Sequence, residues 1–192
     1  MSQPPQADII AALSSSSSSR TRPPTQPYSS FSDPVTSLVN HTSTPTNVRA
    51  IHCPRSECAS TILSPGAAIW VTFSEPVLPD DSAAPFPQPR LVQIQQLTSK
   101  EKSDSSEKGE KIVEKTQYGF WKVSSPYDFD NIGYSRPDTS EKAQARGGPG
   151  GEGKVKWLIC AECDLGPLGW SFEGGKEAWV SADRVRYRGE IK

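Results

Sequence analysis

Apolar and polar residues alternate in short runs punctuated by turn-forming residues, which is the pattern of strands rather than of helices. Thr61-Ile-Leu63 and residues 67–73 form two such runs, and Ile69, Val71 and Phe73 share one face of the second. Between them, Ser64-Pro65-Gly66 predicts a type II turn. Proline presets its first central position, and glycine accepts the positive φ required at the second. Further strands are expected within 91–97 and over 118–123, where Tyr118-Gly-Phe-Trp-Lys-Val123 is broken by Ser124-Ser-Pro126. Tyr127 to Tyr134 alternates again, and Val155, Trp157 and Ile159 alternate with Lys154, Lys156 and Leu158. Gly174-Gly175 predicts a two-residue hairpin that sets Glu173 opposite Lys176, and Val185 with Tyr187 returns to the sheet. The expected fold class is mostly β, with antiparallel sheets.

The pattern fails in three places. Residues 1–47 read as a disordered tail, with the serine run Ser14 to Ser19, Pro23-Pro24 and a short apolar patch from Ala7 to Leu13. The tail lacks the features of a secretory signal, and Asp8 argues against a mitochondrial one. Residues 48–192 are the expected domain, with low-complexity insertions near 80–116 and 136–153. With 18 prolines and 14 glycines in 192 residues, the folded part should be small enough for a metal crosslink to matter to its stability.

Charge narrows the choice of partner. The net charge is -1, and residues 154–192 carry seven Lys or Arg against six Asp or Glu, so no basic face is evident for nucleic acid. No apolar stretch approaches the roughly 20 residues that span a bilayer. A cytoplasmic monomer without membrane insertion is expected.

The four cysteines form two pairs, Cys53 with Cys58 and Cys160 with Cys163. Paired spacing of this kind suits two adjacent corners of a tetrahedral zinc site, and together the pairs supply one closed structural zinc. Disulfides would need an oxidising compartment, and a redox-active Cys160-Ala-Glu-Cys163 would leave the first pair unexplained. Four thiolates leave no open coordination position for metal-dependent hydrolysis, and no fifth cysteine remains for thiol redox catalysis. His52 is a spare ligand or, more simply, an exposed bystander.

Phe129-Asp-Asn-Ile-Gly133-Tyr, Val155-Lys-Trp-Leu-Ile-Cys-Ala-Glu-Cys163-Asp-Leu-Gly-Pro-Leu-Gly-Trp170 and Trp179-Val-Ser-Ala-Asp-Arg184-Val closely resemble the Rab-interacting factor family, the suppressor-of-Sec type of guanine-nucleotide release protein. Weaker similarity covers Cys53 to Leu78. The resemblance implies a zinc-stabilised β-tent. It also implies binding to nucleotide-free Rab GTPases of the secretory pathway, and nucleotide release or chaperoning without covalent chemistry. Peripheral membrane association through the Rab would follow.

Carried over residue by residue, the resemblance puts the zinc ligands at Cys53, Cys58, Cys160 and Cys163, and an acidic partner contact at Glu162. The Rab-facing strand and turn fall on Trp121 through Asn131, with Tyr127, Asp128, Phe129, Asp130 and Asn131 as partner-binding residues and Trp121 in the core. The chain departs from the family in two places. Four residues separate Cys53 from Cys58 where two are usual, and Ser124-Ser125 stands where some relatives are acidic. The alternative reading is a zinc-ribbon protein that binds another protein or nucleic acid without exchange activity.

Overall fold

The computed structural model describes residues 23–73, 92–94, 115–140 and 153–189, which form two antiparallel sheets. The first runs β1 (Thr25–Pro27), β11 (Arg186–Arg188), β2 (Ile51–His52), β3 (Thr61–Leu63). The second runs β4 (Ile69–Phe73), β6 (Lys115–Val123), β10 (Ala178–Ser181), β9 (Gly169–Phe172), β8 (Val155–Cys160), β7 (Ile132–Tyr134). β5 (Val92–Ile94) pairs with the start of β6. The mostly β class read from the sequence is the class observed.

The second sheet is apolar on both faces. Trp121, Val123, Leu158, Cys160, Ala178 and Val180 share one core cluster with Ile51, Ile62, Leu63 and Tyr187 of the first sheet. Phe120, Val155, Trp170, Phe172 and Trp179 form a separate aromatic cluster, with Val71, Phe73, Tyr118 and Trp157 packed on it. The alternation read over 154–159 holds in β8, and both of its faces are apolar: Leu158, in phase with the lysines, is fully buried in the first cluster, and Val155 and Trp157 belong to the second. A strand with buried apolar residues on both faces approaches a continuous apolar run, and alternation then stops reporting which side is inside. Gly119, opposite Thr72, makes room for the neighbouring ring, since a Cβ there would collide with the Trp70 indole.

The Ser64-Pro65-Gly66 turn forms as expected, with Ala67 N–H donating to Ser64 O at 3.3 Å and Gly66 at φ +81°. It joins strands of different sheets, β3 and β4, and so carries the chain from one layer to the other. The later turn is shifted from its expected place. Gly175 N–H donates to Phe172 O at 3.0 Å with Gly174 at φ +77°, so Glu173 and Gly174 are its central residues. Nearby, Glu177 is ion-paired with Lys122 at 2.6 Å. Residues 127–134 also differ from a continuous strand: a 3-10 turn, Pro126–Asp128, precedes the short β7.

Order begins well before Val48, contrary to the expectation of a disordered tail through residue 47. β1 pairs with β11 through Thr25↔Arg188 and Pro27↔Arg186, and the Arg186 guanidinium donates to Thr25 O at 2.6 Å. A single-turn helix, α1 (Pro34–Leu38), follows, capped by Asp33, which accepts from Thr36 N–H at 3.2 Å and from the Thr36 hydroxyl at 2.6 Å. Tyr28, Leu38 and Val39 enter the core, each 5% exposed or less. Three apolar residues are too few to build a core, but they suffice to close one that the sheets have already formed.

Asn47 secures the end of this strap. Its side-chain N–H groups donate to Arg49 O and Ser64 O at 3.0 and 2.9 Å, and its side-chain oxygen accepts from Ala68 N–H at 2.9 Å. Residues 1–22, with the serine run and the Ala7–Leu13 patch, lie outside the described residues, as do most of the two insertions. The second insertion starts later than residue 136, because Asp138 N–H donates to Val155 O at 2.7 Å and the Asp138 carboxylate accepts from the Trp157 indole at 2.9 Å.

Candidate metal centre and partner-binding face

Two similar turns bring the cysteines together. In the second, Asp164 N–H donates to Cys160 O and Cys160 N–H to Leu165 O, both at 2.9 Å. In the first, Cys58 and Ala59 N–H groups donate to Arg55 O at 3.1 and 2.9 Å, and Cys53 N–H donates to Ser60 O at 2.8 Å. Each turn ends on a left-handed residue immediately after its second cysteine, Ala59 at φ 46° and Asp164 at φ 56°. Such a conformation costs a non-glycine residue about 1 kcal/mol, and here it reverses the chain so that both thiols of a pair face the same point. The extra residues between Cys53 and Cys58 are taken up in an exposed loop over 55–57.

All four sulfurs lie within 4.8 Å of one another, with Cys53 to Cys163 at 3.6 Å and Cys58 to Cys160 at 3.8 Å. A tetrahedral ion with bonds of about 2.3 Å to sulfur requires edges of about 3.8 Å, so the residues fit a tetrahedral thiolate metal site. The sulfurs accept backbone hydrogen bonds. Arg55 N–H points at Cys53, the N–H groups of Glu162 and Cys163 at Cys160, and that of Leu165 at Cys163. Burial pushes the Cys53 and Cys160 thiols above the usual range against these bonds. Burial acts in the same sense on Cys163, but the Leu165 N–H and the neighbouring thiols together outweigh it and bring that thiol below the usual range. Sulfurs this close hold several negative charges only with a cation between them.

His52 is buried rather than exposed, since the register of β2 turns it inward, and its Nδ1 lies 3.1 Å from Ala59 O, beneath the first turn. It belongs to the scaffold of that turn and not to the sulfur cluster. Arg55 links the two turns, its guanidinium donating to Cys163 O at 3.5 Å.

The segment named as partner-facing lies alongside the second turn. Leu63 bridges to Phe129, Asp130 N–H donates to Ile62 O at 3.0 Å, and the Asn131 side chain donates to Thr61 O at 2.8 Å, so the segment is laid along β3. Ala161 N–H donates to Asn131 O at 3.3 Å, which sets the residue next to the exposed Glu162 beside the segment. Four of the six partner residues named from the sequence are exposed: Tyr127, at 94%, with Asp128, Asp130 and Glu162. The other two differ in character. Phe129 is half-buried against the core, and Asn131 spends its amide on β3. Trp121 is fully buried, as expected. Sequence reasoning missed Ser64, whose hydroxyl donates to the Asp130 carboxylate at 3.1 Å. Its only signal was the turn in which it sits.

Fold and site together define a two-sheet β protein organised around a four-cysteine cluster, with an acidic and aromatic loop beside it. A family model described as Mss4 protein matches residues 46–187. The chain therefore belongs to the Mss4 family, the family that the sequence resemblance indicated. The strap over residues 25–45 precedes the matched region. Among the described residues, no helix is long and apolar enough to cross a membrane.

Proposed function

We propose that the chain is a guanine-nucleotide release factor and chaperone for nucleotide-free Rab GTPases, folded around one structural zinc ion bound by Cys53, Cys58, Cys160 and Cys163. Membership of the Mss4 family supports the Rab-directed role in general. The observation that carries the choice of surface is Tyr127, which is 94% exposed on a segment otherwise pinned to β3. A large aromatic side chain held out on a fixed backbone loses little entropy on docking, which suits an interface anchor.

In this reading Tyr127 supplies the apolar anchor, and Asp128, Asp130 and Glu162 meet basic groups of the GTPase. Phe129 and Asn131 contribute by holding the segment in place. Nucleotide release needs no group that makes or breaks a covalent bond. It needs tighter binding to the empty GTPase than to the loaded one, because only differential affinity shifts an equilibrium.

The test is release of a fluorescent GDP analogue from purified Rab GTPases in the presence of the full chain. Acceleration is expected for at least one Rab and should be weakened by Tyr127→Ala. If every Rab releases its nucleotide at the uncatalysed rate and none binds the chain after EDTA stripping, the assignment is wrong.

A further inference from the structure

Ser64 is exposed and precedes Pro65, and its hydroxyl donates to Asp130 in the proposed partner-binding segment at 3.1 Å. We propose that Ser64 is a phosphorylation site for a proline-directed kinase, and that its phosphate detaches the segment over 126–131 from β3. The effect on the partner rests on the Rab reading above; the modification and the detachment do not.

Two other described residues precede proline in this way. Ser125 is half-buried, and its hydroxyl oxygen accepts from Tyr127 N–H at 3.3 Å as the cap of the 3-10 turn. Thr44 is exposed but has no contact with the segment beside β3 among the hydrogen bonds of the described residues. Ser64 combines exposure with a direct bond to the segment.

In the transfer, Ser64 Oγ attacks the γ-phosphorus of ATP. The Oγ–P bond forms, the bond from that phosphorus to the bridging oxygen breaks to release ADP, and the hydroxyl proton passes to the kinase's catalytic carboxylate. The hydroxyl's donated bond to Asp130 is thereby lost. In its place stands a group of charge about -1.5 to -2 at neutral pH, against a carboxylate, where like charges repel. Asp130 is also tied to Ile62 O through its own N–H, and its neighbour Asn131 to Thr61 O, both within three residues of Ser64. Repulsion therefore acts on the contacts that hold the segment down. Ser64 itself keeps its place, because its carbonyl accepts from Ala67 N–H and from Asn47.

The experiment treats the full chain with a proline-directed kinase and ATP, maps the phosphate by mass spectrometry, and follows amide hydrogen exchange at residues 128–131. Phosphate is expected on Ser64, with exchange at Asp130 faster by roughly tenfold or more. Kinase-treated Ser64→Ala should keep the exchange rate of its untreated form, and capture of an EDTA-stripped Rab should fall only in the phosphorylated wild type. Labelling that omits Ser64, or exchange unchanged once Ser64 is labelled, overturns the proposal. Unchanged capture after detachment overturns its regulatory consequence. Failure of the unmodified chain to bind any Rab overturns the functional assignment instead, and the labelling and exchange results then decide the proposal alone.

Discussion

The Tyr28 ring lies parallel to the Trp70 indole, with centroids 6.4 Å apart and planes inclined by 6°, and it also packs against Tyr187 at 6.2 Å. Tyr28 belongs to the strap that precedes the family match, whereas Trp70 and Tyr187 lie on the two sheets. The strap is thus part of the core's closure. Removal of residues 1–45, which takes away the strap, should lower the melting temperature sharply. Tyr28→Ala alone should cost about 3 kcal/mol, measured by urea unfolding, as for other buried aromatic truncations.

Trp121 and Tyr187 join the sheets by a polar contact inside the core. The indole N–H donates to the Tyr187 hydroxyl at 2.8 Å, and that hydroxyl donates to Ala182 O at 2.9 Å. Tyr187→Phe keeps the ring but leaves a buried indole N–H and a buried carbonyl without this partner. The expected loss is about 1–3 kcal/mol in urea unfolding, with secondary structure by circular dichroism preserved.

Elemental analysis of protein purified under reducing conditions should give one zinc per chain. The free energy of structural zinc binding, about 10–16 kcal/mol in small zinc domains, is as large as the whole stability of a typical domain, about 5–15 kcal/mol. Cys160→Ser should therefore be aggregated or protease-sensitive, and prolonged chelation of the wild type should unfold it. A metal-free chain with an unchanged melting temperature would exclude a structural role for the site.

Tyr127→Ala and Glu162→Ala alter exposed side chains and should change stability by less than about 0.5 kcal/mol. Each should nevertheless weaken capture of a nucleotide-free Rab and slow nucleotide release. Zinc content should stay at the wild-type level in both. Equal capture by wild type and both variants would move the interface elsewhere on the molecule.

Local chemistry was legible in the sequence, and long-range placement was less so. The Ser64-Pro65-Gly66 turn and the pairing of cysteines depend on a few adjacent residues, and both came through. The strap did not, because Tyr28, Leu38 and Val39 make no periodic pattern and gain their burial from a core encoded elsewhere. The alternation over 154–159 was legible, but not that the face Leu158 shares with the lysines turns to the core, because both faces of the second sheet carry buried apolar residues and the contrast that alternation relies on is lost. At the proposed partner face, exposure of Tyr127 and anchoring of Asn131 are properties of how the segment lies on β3, and neighbouring residues in sequence do not reveal that.

The central claim is differential affinity, and the most direct measurement is the dissociation constant of the zinc-loaded chain for one Rab in its EDTA-stripped and GDP-loaded forms, by titration calorimetry. The account predicts binding to the stripped form at least about a hundredfold tighter, which corresponds to a coupling of about 2.7 kcal/mol between chain and nucleotide. Addition of GTP should dissociate the complex. Equal affinity for the two forms would contradict the account, because a ligand that does not distinguish the states shifts neither.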